Sequence, residues 1–251
     1  MKRWLVFLFC LLMSCHVFAA GGIAHMYIAK QSIPLMTDKR LRDLIQNNMD
    51  AYLVGANYPD TGYVPGTHYG EDSHWEPFLN AFVSWIHAHY TDPLDQNPKL
   101  VAFLMGCVTH SVSDRIFHAD FVTAEAQHDF HGDYDTAHQN LDTGLDFIIN
   151  TEKNQWLTRP LTWWVPVDTL VEVYQLMGKP HPASEIRYGN DIYSTGSVAE
   201  RVVDPITYLY YKYKMPWADA HYETAPTGGM HVLEQASADY VESYWLKILA
   251  G

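Results

Sequence analysis

The stretch that decides the fold runs from Lys99 to His118 and reads KLVAFLMGCVTHSVSDRIFH. Its first half is apolar at nearly every position, which predicts a helix that is buried on most of its faces. Its second half carries His110, Asp114 and His118 at four-residue steps, which keep side chains on one stripe of a helix. Buried imidazole and carboxylate groups need partners, because an unpaired buried charge is costly. For this stretch alone a hydrogen-bonded His–Asp pair is favoured, and metal binding is the alternative.

A second pair, His138 and Asp142, repeats the four-residue spacing further along the chain. Two such side chains on one helix can meet a single ion. The remaining candidates are His25 near the amino terminus and Asp60 and His74 in turn-rich segments, each ordinary when taken alone. Together the eight candidates are five histidines and three aspartates without a thiolate, a donor set common in hydrolytic zinc sites.

Apolar residues elsewhere recur every three or four positions, and alternating strand patterns are scarce. This periodicity predicts helices around 83–86, 100–108, 145–149, 170–177 and 232–249. Asp38 is a predicted N-cap, and Asp92-Pro93 and Asn97-Pro98 punctuate the chain before a long helix. Segments 55–70 and 213–229 are rich in turn-forming residues and predict loops. We therefore predict one all-α domain spanning residues 20–251.

The first nineteen residues predict a secretory signal peptide. Two basic residues precede an apolar run from Trp4 to Met13, which is shorter than the ~20 residues that span a bilayer. Small side chains favour cleavage after Ala19, so that a secreted or periplasmic chain would begin at Ala20. The alternative is a lipoprotein box that would lipidate Cys15. No later segment is expected to be long and apolar enough to cross a membrane.

The charge balance is acidic, with 16 basic against 29 acidic residues. This balance disfavours a protein that grips nucleic acid, because phosphate backbones require a positive footprint. Cys107 is the one cysteine beyond the predicted signal peptide, so an intramolecular disulfide is not expected. Bound metal is a candidate for holding the fold instead.

Several motifs, found in order between about residues 22 and 178, carry a family resemblance. They are 22–25, 50–55, 58–60, 73–81, 99–106, 129–134, 137–138 and 164–167. With these motifs the chain resembles the zinc-dependent phospholipase C/D family, in its branch of glycosylphosphatidylinositol-specific phospholipases D. That family shares its superfamily and its trinuclear zinc site with S1/P1-type nucleases. The resemblance implies a compact helical domain with a zinc cluster at the base of a cleft.

The resemblance also implies a ligand scheme for about three zinc ions. The implied ligands of the first ion are Asp60, His74, His110 and Asp114. Those of the second are His118, His138 and Asp142, with an open position for water. Those of the third are His25, Asp114 as a bridge, and the α-amino group and carbonyl of Ala20. In the family the terminal residue lies five before its histidine ligand, which fits Ala20, although phospholipase C and P1-type nucleases place tryptophan there.

The implied activity is hydrolysis of a phospholipid phosphodiester, of C or D type, by a zinc-bridged hydroxide that attacks phosphorus. Asp60 is the candidate proton acceptor, and Asp114 bridges two ions. The substrate would be a phospholipid or a glycosylphosphatidylinositol-type lipid, with transient membrane-surface contact and no obligate protein partner. A nuclease or other phosphodiesterase with the same site is the alternative, followed by a non-catalytic zinc-binding protein.

Other residues near the candidate ligands keep two interpretations each. His131 either orients a ligand or is a turn histidine. Four aromatic side chains either line a substrate cleft or pack in the core: Tyr58, Tyr63, Trp75 and Phe130.

Overall fold

The computed structural model describes residues 21–251, except the side chain of residue 203. The predicted signal peptide at residues 1–19, the predicted first residue Ala20 and the alternative lipid site at Cys15 lie outside the described residues. Within the described part the chain forms helices and loops without a strand, which confirms the predicted all-α class.

The α-helices are α1 (Gly22–Ser32), α2 (Lys39–Asn47), α3 (Met49–Gly55), α4 (Gly70–His74), α5 (Glu76–His89), α6 (Pro93–Gln96), α7 (Pro98–Ile116), α8 (Thr123–Asp129), α9 (Tyr134–Glu152), α10 (Val167–Leu176), α11 (Ala183–Lys214), α12 (Pro216–His221) and α13 (Met230–Leu249). Two 3₁₀ turns, Ile33–Leu35 and Pro59–Tyr63, and a π-helical turn, Phe117–Val122, connect some of them.

The predicted helix starts are confirmed where their caps can be examined. The Asp38 side chain accepts hydrogen bonds from the backbone N–H groups of Arg40 and Leu41, where α2 begins. The Asn97 side chain accepts one from the N–H of Leu100, and a proline occupies the first turn of α7. Each cap satisfies N–H groups that have no partner within their own helix.

Helix α7 lies at the centre of the fold, and every residue from Leu100 to Asp114 is buried. It packs against α3 so closely that a Cβ atom on Gly106 would lie 2.1 Å from the Tyr52 carbonyl oxygen. Without interruption α7 continues through the π-helical turn into α8. This run, Pro98–Asp129, is long and apolar enough to cross a membrane, so the expectation that no later segment qualifies is wrong. Its most apolar window is 83% buried by protein, as in a core helix.

Two apolar cores meet at α1. One surrounds α7 and includes Met26 and Ala29 of α1, and the other lies between α9, α12 and α13 and includes Ile23 and Ile28. Because α1 contributes to both cores, its buried His25 lies where the two cores meet.

The chain departs from the predicted pattern mainly in α11. This helix of 32 residues was not predicted, and segment 213–229, predicted as a loop, contains the end of α11 and all of α12. The reason is an inverted polarity: Arg201 and Asp204 are buried, whereas Val202 is 74% and Ile206 64% exposed. A helix with charges inside and apolar side chains outside lacks the usual amphipathic signature.

Candidate metal centre

The structure brings together all eight candidate ligand side chains, which come from distant parts of the sequence. Seven of them line one cavity of about 470 Å³: His25, Asp60, His74, Asp114, His118, His138 and Asp142. The eighth, His110, is fully buried beneath the cavity, with its ring 4.0 Å from the ring of His25. Imidazole and carboxylate groups therefore form a large part of the lining of this cavity.

The first group consists of Asp60, His74 and His110. Asp60 lies in the 3₁₀ turn Pro59–Tyr63 and His74 ends the short helix α4, so both sit on local helical turns rather than in an extended loop. Asp60 Oδ1 lies 3.4 Å from His74 Nε2 and 3.7 Å from His110 Nε2. These three ligand atoms lie within 4.8 Å of one another, a spacing that one ion can span.

The second group consists of His118, His138 and Asp142. His138 Nε2 lies 3.2 Å from Asp142 Oδ2 on α9, as their four-residue spacing predicts. His118 faces this pair, with its ring 4.4 Å from that of His138. It lies not in a regular α-helix but in the π-helical turn Phe117–Val122, a widening of the helix that is frequent at functional sites.

The third group joins His25 to His110 and Asp114. Asp114 lies between groups, because its Oδ1 is 3.9 Å from His25 Nε2 and 3.0 Å from His118 Nε2. His25 Nε2 is also 3.8 Å from Asp60 Oδ2. On the far side of the His25 ring, Nδ1 lies 3.4 Å from the Ser113 hydroxyl oxygen. The geometry thus gives Asp114 the location that a bridging carboxylate requires, while the assignment of ligands to individual ions stays a prediction.

Backbone carbonyls fix the rings of two buried histidines. His74 Nδ1 lies 2.7 Å from the carbonyl oxygen of Gly70, and His110 Nδ1 lies 2.9 Å from that of Ala56. A carbonyl oxygen can only accept, so Nδ1 carries the proton in both rings and Nε2 presents its lone pair. Histidines held in this way by an outer partner are typical of metal ligands.

The buried charges shift the pKa values of this cluster strongly. Burial lowers the pKa of His110 to about 3, and the charge of His25 adds to this effect. Burial alone would lower the pKa of His118 as well, but the hydrogen bond and charge of Asp114 raise it to about 9. Burial raises the pKa of Asp142 to about 8. A cation that binds here must therefore displace protons from His118 and Asp142.

Two buried polar atoms indicate that the protein alone does not complete this cluster. Asp60 Oδ2 and His110 Nε2 have no hydrogen-bond partner. Buried polar groups in native proteins are nearly always paired, so such atoms require an explanation. Neutral imidazole nitrogens and carboxylate oxygens in groups of three are what zinc prefers. The residues present fit zinc, whereas the implied ligand atoms of Ala20 lie outside the described residues.

The cavity lining also has an apolar part, which was not predicted from the sequence. It is formed by Ile28, Phe117, Leu141, Leu145 and Met230. Leu141 and Leu145 follow His138 by three and seven residues, so helical periodicity could have placed them on the same face. Met230 begins α13 and is far in the sequence from every candidate ligand, so only tertiary packing brings it here.

The remaining interpretations are resolved by position. Tyr63 and Trp75 line the cavity and are partly exposed at its mouth, whereas Tyr58 and Phe130 are buried in the cores. His131 is exposed in the turn before α9 with a φ of 54°, and it does not line the cavity. Its position fits a turn histidine.

Comparison with known proteins gives a family and several curated relatives. The family model described as zinc dependent phospholipase C matches residues 24–177. A phosphatidylinositol-glycan-specific phospholipase D of Dictyostelium discoideum is 26% identical over 90% of this chain and 25% of its own length. The enzyme of that name from Homo sapiens is 36% identical over 53% of this chain and 17% of its own length. The chain thus spans a quarter or less of these two relatives, and no solved structure matches it significantly.

Proposed function

Because the chain belongs to the zinc-dependent phospholipase C family, we propose that it hydrolyses a phosphodiester bond of phospholipids by C-type or D-type cleavage. The proposed zinc ligands are His25, Asp60, His74, His110, Asp114, His118, His138 and Asp142. The α-amino group and carbonyl of Ala20 complete the proposed set of ligands for about three zinc ions.

The observation that carries the proposal is the mixed lining of the cavity. One part of the lining consists of imidazole and carboxylate groups, and the other part is apolar, with residues such as Leu141 and Met230. A phosphate ester of a lipid has the same two halves, an anionic group that fits cations and an apolar group that fits aliphatic side chains. A nucleic acid strand offers no comparable apolar half, and the acidic protein would repel it.

The residues of the chain have separate roles in the proposed reaction. Asp60 is the proposed proton acceptor: burial would raise its pKa, but the charges of His110 and other neighbouring histidines hold it below the usual range. It is therefore ionised at neutral pH, and its Oδ2 is free to accept a proton. Asp114 would bridge two groups of ligands. When bound, zinc supplies Lewis acidity towards water and positive charge towards the phosphate group.

A paired assay tests the proposal. Zinc-loaded protein is incubated with phosphatidylcholine or phosphatidylinositol vesicles and, in parallel, with single-stranded RNA and DNA. We expect turnover of lipid with much weaker action on nucleic acid. Asp114→Asn should lower the rate about 100-fold or more, since losing even an outer partner of a ligand costs about 10–100-fold. Asp120→Asn, an exposed aspartate six residues further on, is the matched control.

The products and relative rates decide among the alternatives. Diacylglycerol identifies C-type cleavage and phosphatidic acid identifies D-type cleavage. Faster turnover of RNA than of any lipid would replace the proposal with the nuclease alternative. Zinc binding without turnover of any phosphodiester would leave a zinc-binding protein.

Export is part of the proposal, because the third zinc ion would use the terminus that signal cleavage creates. Mass spectrometry of the exported protein should find Ala20 as its first residue. Retaining one additional residue before Ala20 should weaken binding of one zinc ion while the other two remain. A diacylated Cys15 on the exported protein would contradict this part of the proposal.

A further inference from the structure

The first turn of α1 is capped by a carboxylate from a different helix. Asp146 of α9 accepts hydrogen bonds from the backbone N–H groups of Ile23 and Ala24, at 2.9 and 2.8 Å. The first N–H groups of a helix lack partners within the helix, and a polar side chain at the N-cap usually supplies one. Here the N-cap is Gly21, which has no side chain to offer. Asp146 replaces the local cap from 122 residues away in the sequence.

The position of this turn determines the position of His25. The backbone N–H of His25 donates to the Gly21 carbonyl oxygen at 2.7 Å, which makes it part of the same first turn. Gly21 has a φ of 91°, and a Cβ atom there would lie 3.2 Å from the His25 ring. The ring therefore lies directly against the chain that enters α1. A displacement of the first turn must displace the ring as well.

A second contact restrains the turn from α11. A Cβ atom on Gly22 would lie 2.7 Å from the Tyr193 hydroxyl oxygen, so the helix start fits tightly against it. That hydroxyl donates to Asn57 Oδ1 at 3.2 Å. Together with Asp146, this contact leaves the first turn little freedom to move.

Helix α9 carries two proposed zinc ligands and the capping carboxylate on the same face. His138, Asp142 and Asp146 follow one another at four-residue steps, so they lie along one stripe of the helix. The first two belong to the predicted metal site, and the third holds the helix that brings His25. Ligands from separate elements form a site only if those elements are fixed to about 0.5 Å.

We infer that Asp146 is a positioning residue that fixes α1, and with it His25, in the position that the third proposed ligand group requires. This inference rests on the proposed zinc site but not on the lipid specificity. A carboxylate at this end of α1 also has the sign that the helix dipole favours.

The test compares Asp146→Asn with a matched variant. Asparagine has the same shape but only one acceptor oxygen, and its NH₂ group faces the second backbone N–H. We expect the affinity for one of about three zinc ions to fall about 10–100-fold. In the metal-free protein, amide exchange at Ile23 and Ala24 should accelerate and the His25 ring signals in NMR spectra should shift.

Asp204→Asn is the control, because Asp204 is a buried carboxylate that accepts from Asn150 and Thr151 and not from α1. It should lower the melting temperature while leaving the zinc content and the His25 signals unchanged. If it loses the same ion as Asp146→Asn, general destabilisation explains the effect and the inference is wrong. Wild-type zinc content and His25 signals in Asp146→Asn would also overturn it.

The test separates failure of this inference from failure of the proposed function and from failure of the variant to fold. If the wild-type protein binds no zinc, the proposed function fails, but amide exchange and the His25 signals in the metal-free protein still decide the role of Asp146. If Asp146→Asn does not fold, Asp146→Glu retains the charge and both acceptor oxygens one methylene further out. Faster exchange at Ile23 and Ala24 in that variant, with wild-type zinc content and wild-type His25 signals, contradicts the inference.

Discussion

Two clusters of buried charged side chains in the described part of the chain differ in how their polar atoms are paired. The ligand cluster comprises the eight candidate zinc ligands, and there Asp60 Oδ2 and His110 Nε2 have no hydrogen-bond partner. The anchoring cluster comprises Asp146, Glu200, Arg201 and Asp204. There both Asp146 oxygens accept backbone hydrogen bonds, and Asp204 accepts from two side chains.

The difference concerns which groups satisfy the buried charge. In the anchoring cluster Arg201 donates to Ser197 and to the carbonyl oxygen of Thr158, so protein groups supply most of its partners, whereas its Nε has none. In the ligand cluster the side chains face one another across a cavity. Imidazoles and carboxylates alone cannot neutralise the buried negative charge without protons or cations. Removal of cations should therefore affect only the ligand cluster, and removal of a protein partner should affect chiefly the anchoring cluster.

Chelation is expected to have the largest effect. An ion present at about 1,000 times its Kd contributes about 4 kcal/mol to the free energy of unfolding. For a chain of this size that corresponds to about 10 °C in Tm for each ion lost. Calorimetry of the zinc-loaded protein with and without chelator should show this decrease together with loss of activity. An unchanged Tm, or less than one zinc per chain after zinc-replete expression, would contradict the proposed site.

Replacement of Arg201 tests the anchoring cluster. Arg201→Met removes the positive charge that lowers the pKa values of Asp146, Glu200 and Asp204, and loss of the partner of a buried charge costs about 3–5 kcal/mol. We expect a Tm lower by about 10 °C at this cost, with zinc content unchanged. Arg187→Met on the same helix removes an arginine paired with the exposed Asp168, worth about 0–1 kcal/mol. Equal effects of the two variants would show that the anchoring cluster is not special.

The two clusters also differ in how far the sequence predicts them. His110, Asp114 and His118 were identified from spacing, because they follow an apolar run on one helical stripe. Asp60 and His74 could be connected to them only through the family resemblance, which the family match confirms. Spacing and composition carry no information on which turn packs against which helix.

The anchoring cluster was missed because α11 has inverted polarity. Its buried Arg201 and Asp204 look like solvent-facing charges, and its exposed Val202 and Ile206 look like core residues. Asp146 likewise reads as a surface residue of α9, since its partners Ile23 and Ala24 lie at the other end of the sequence. Long-range partners of backbone N–H groups leave no periodic signal.

A smaller effect is expected when one ligand is removed from the ligand cluster. His118→Ala should reduce the zinc content by about one ion, because His118 belongs to the group with His138 and Asp142. The two other groups keep their side chains, so the Tm should fall less than under chelation. Elemental analysis and calorimetry measure both quantities. His128→Ala, which removes an exposed histidine stacked on Trp217, should leave the zinc content unchanged.

The smallest effect is a pH dependence that separates the anchoring cluster from the surface. Burial, together with the charge of Asp146, raises the pKa of Glu200 above its ordinary value of 4.5. A group with a raised folded pKa stabilises the protein fully below its unfolded pKa, and this contribution is lost as the pH rises towards the folded value. The cluster has three carboxyl groups and one guanidinium, so at least one carboxyl group favours a proton.

In the Glu200→Gln variant the side chain cannot ionise, so this loss of stability with rising pH should be absent. Relative to the wild-type protein, its free energy of unfolding should rise progressively as the pH increases above about 4.5. Denaturant unfolding of both proteins at several pH values measures the difference. Glu172→Gln on α10 is the control, because its side chain is 53% exposed to water. A difference that stays constant with pH would mean that Glu200 is ionised in the folded protein and that Arg201 alone compensates the cluster.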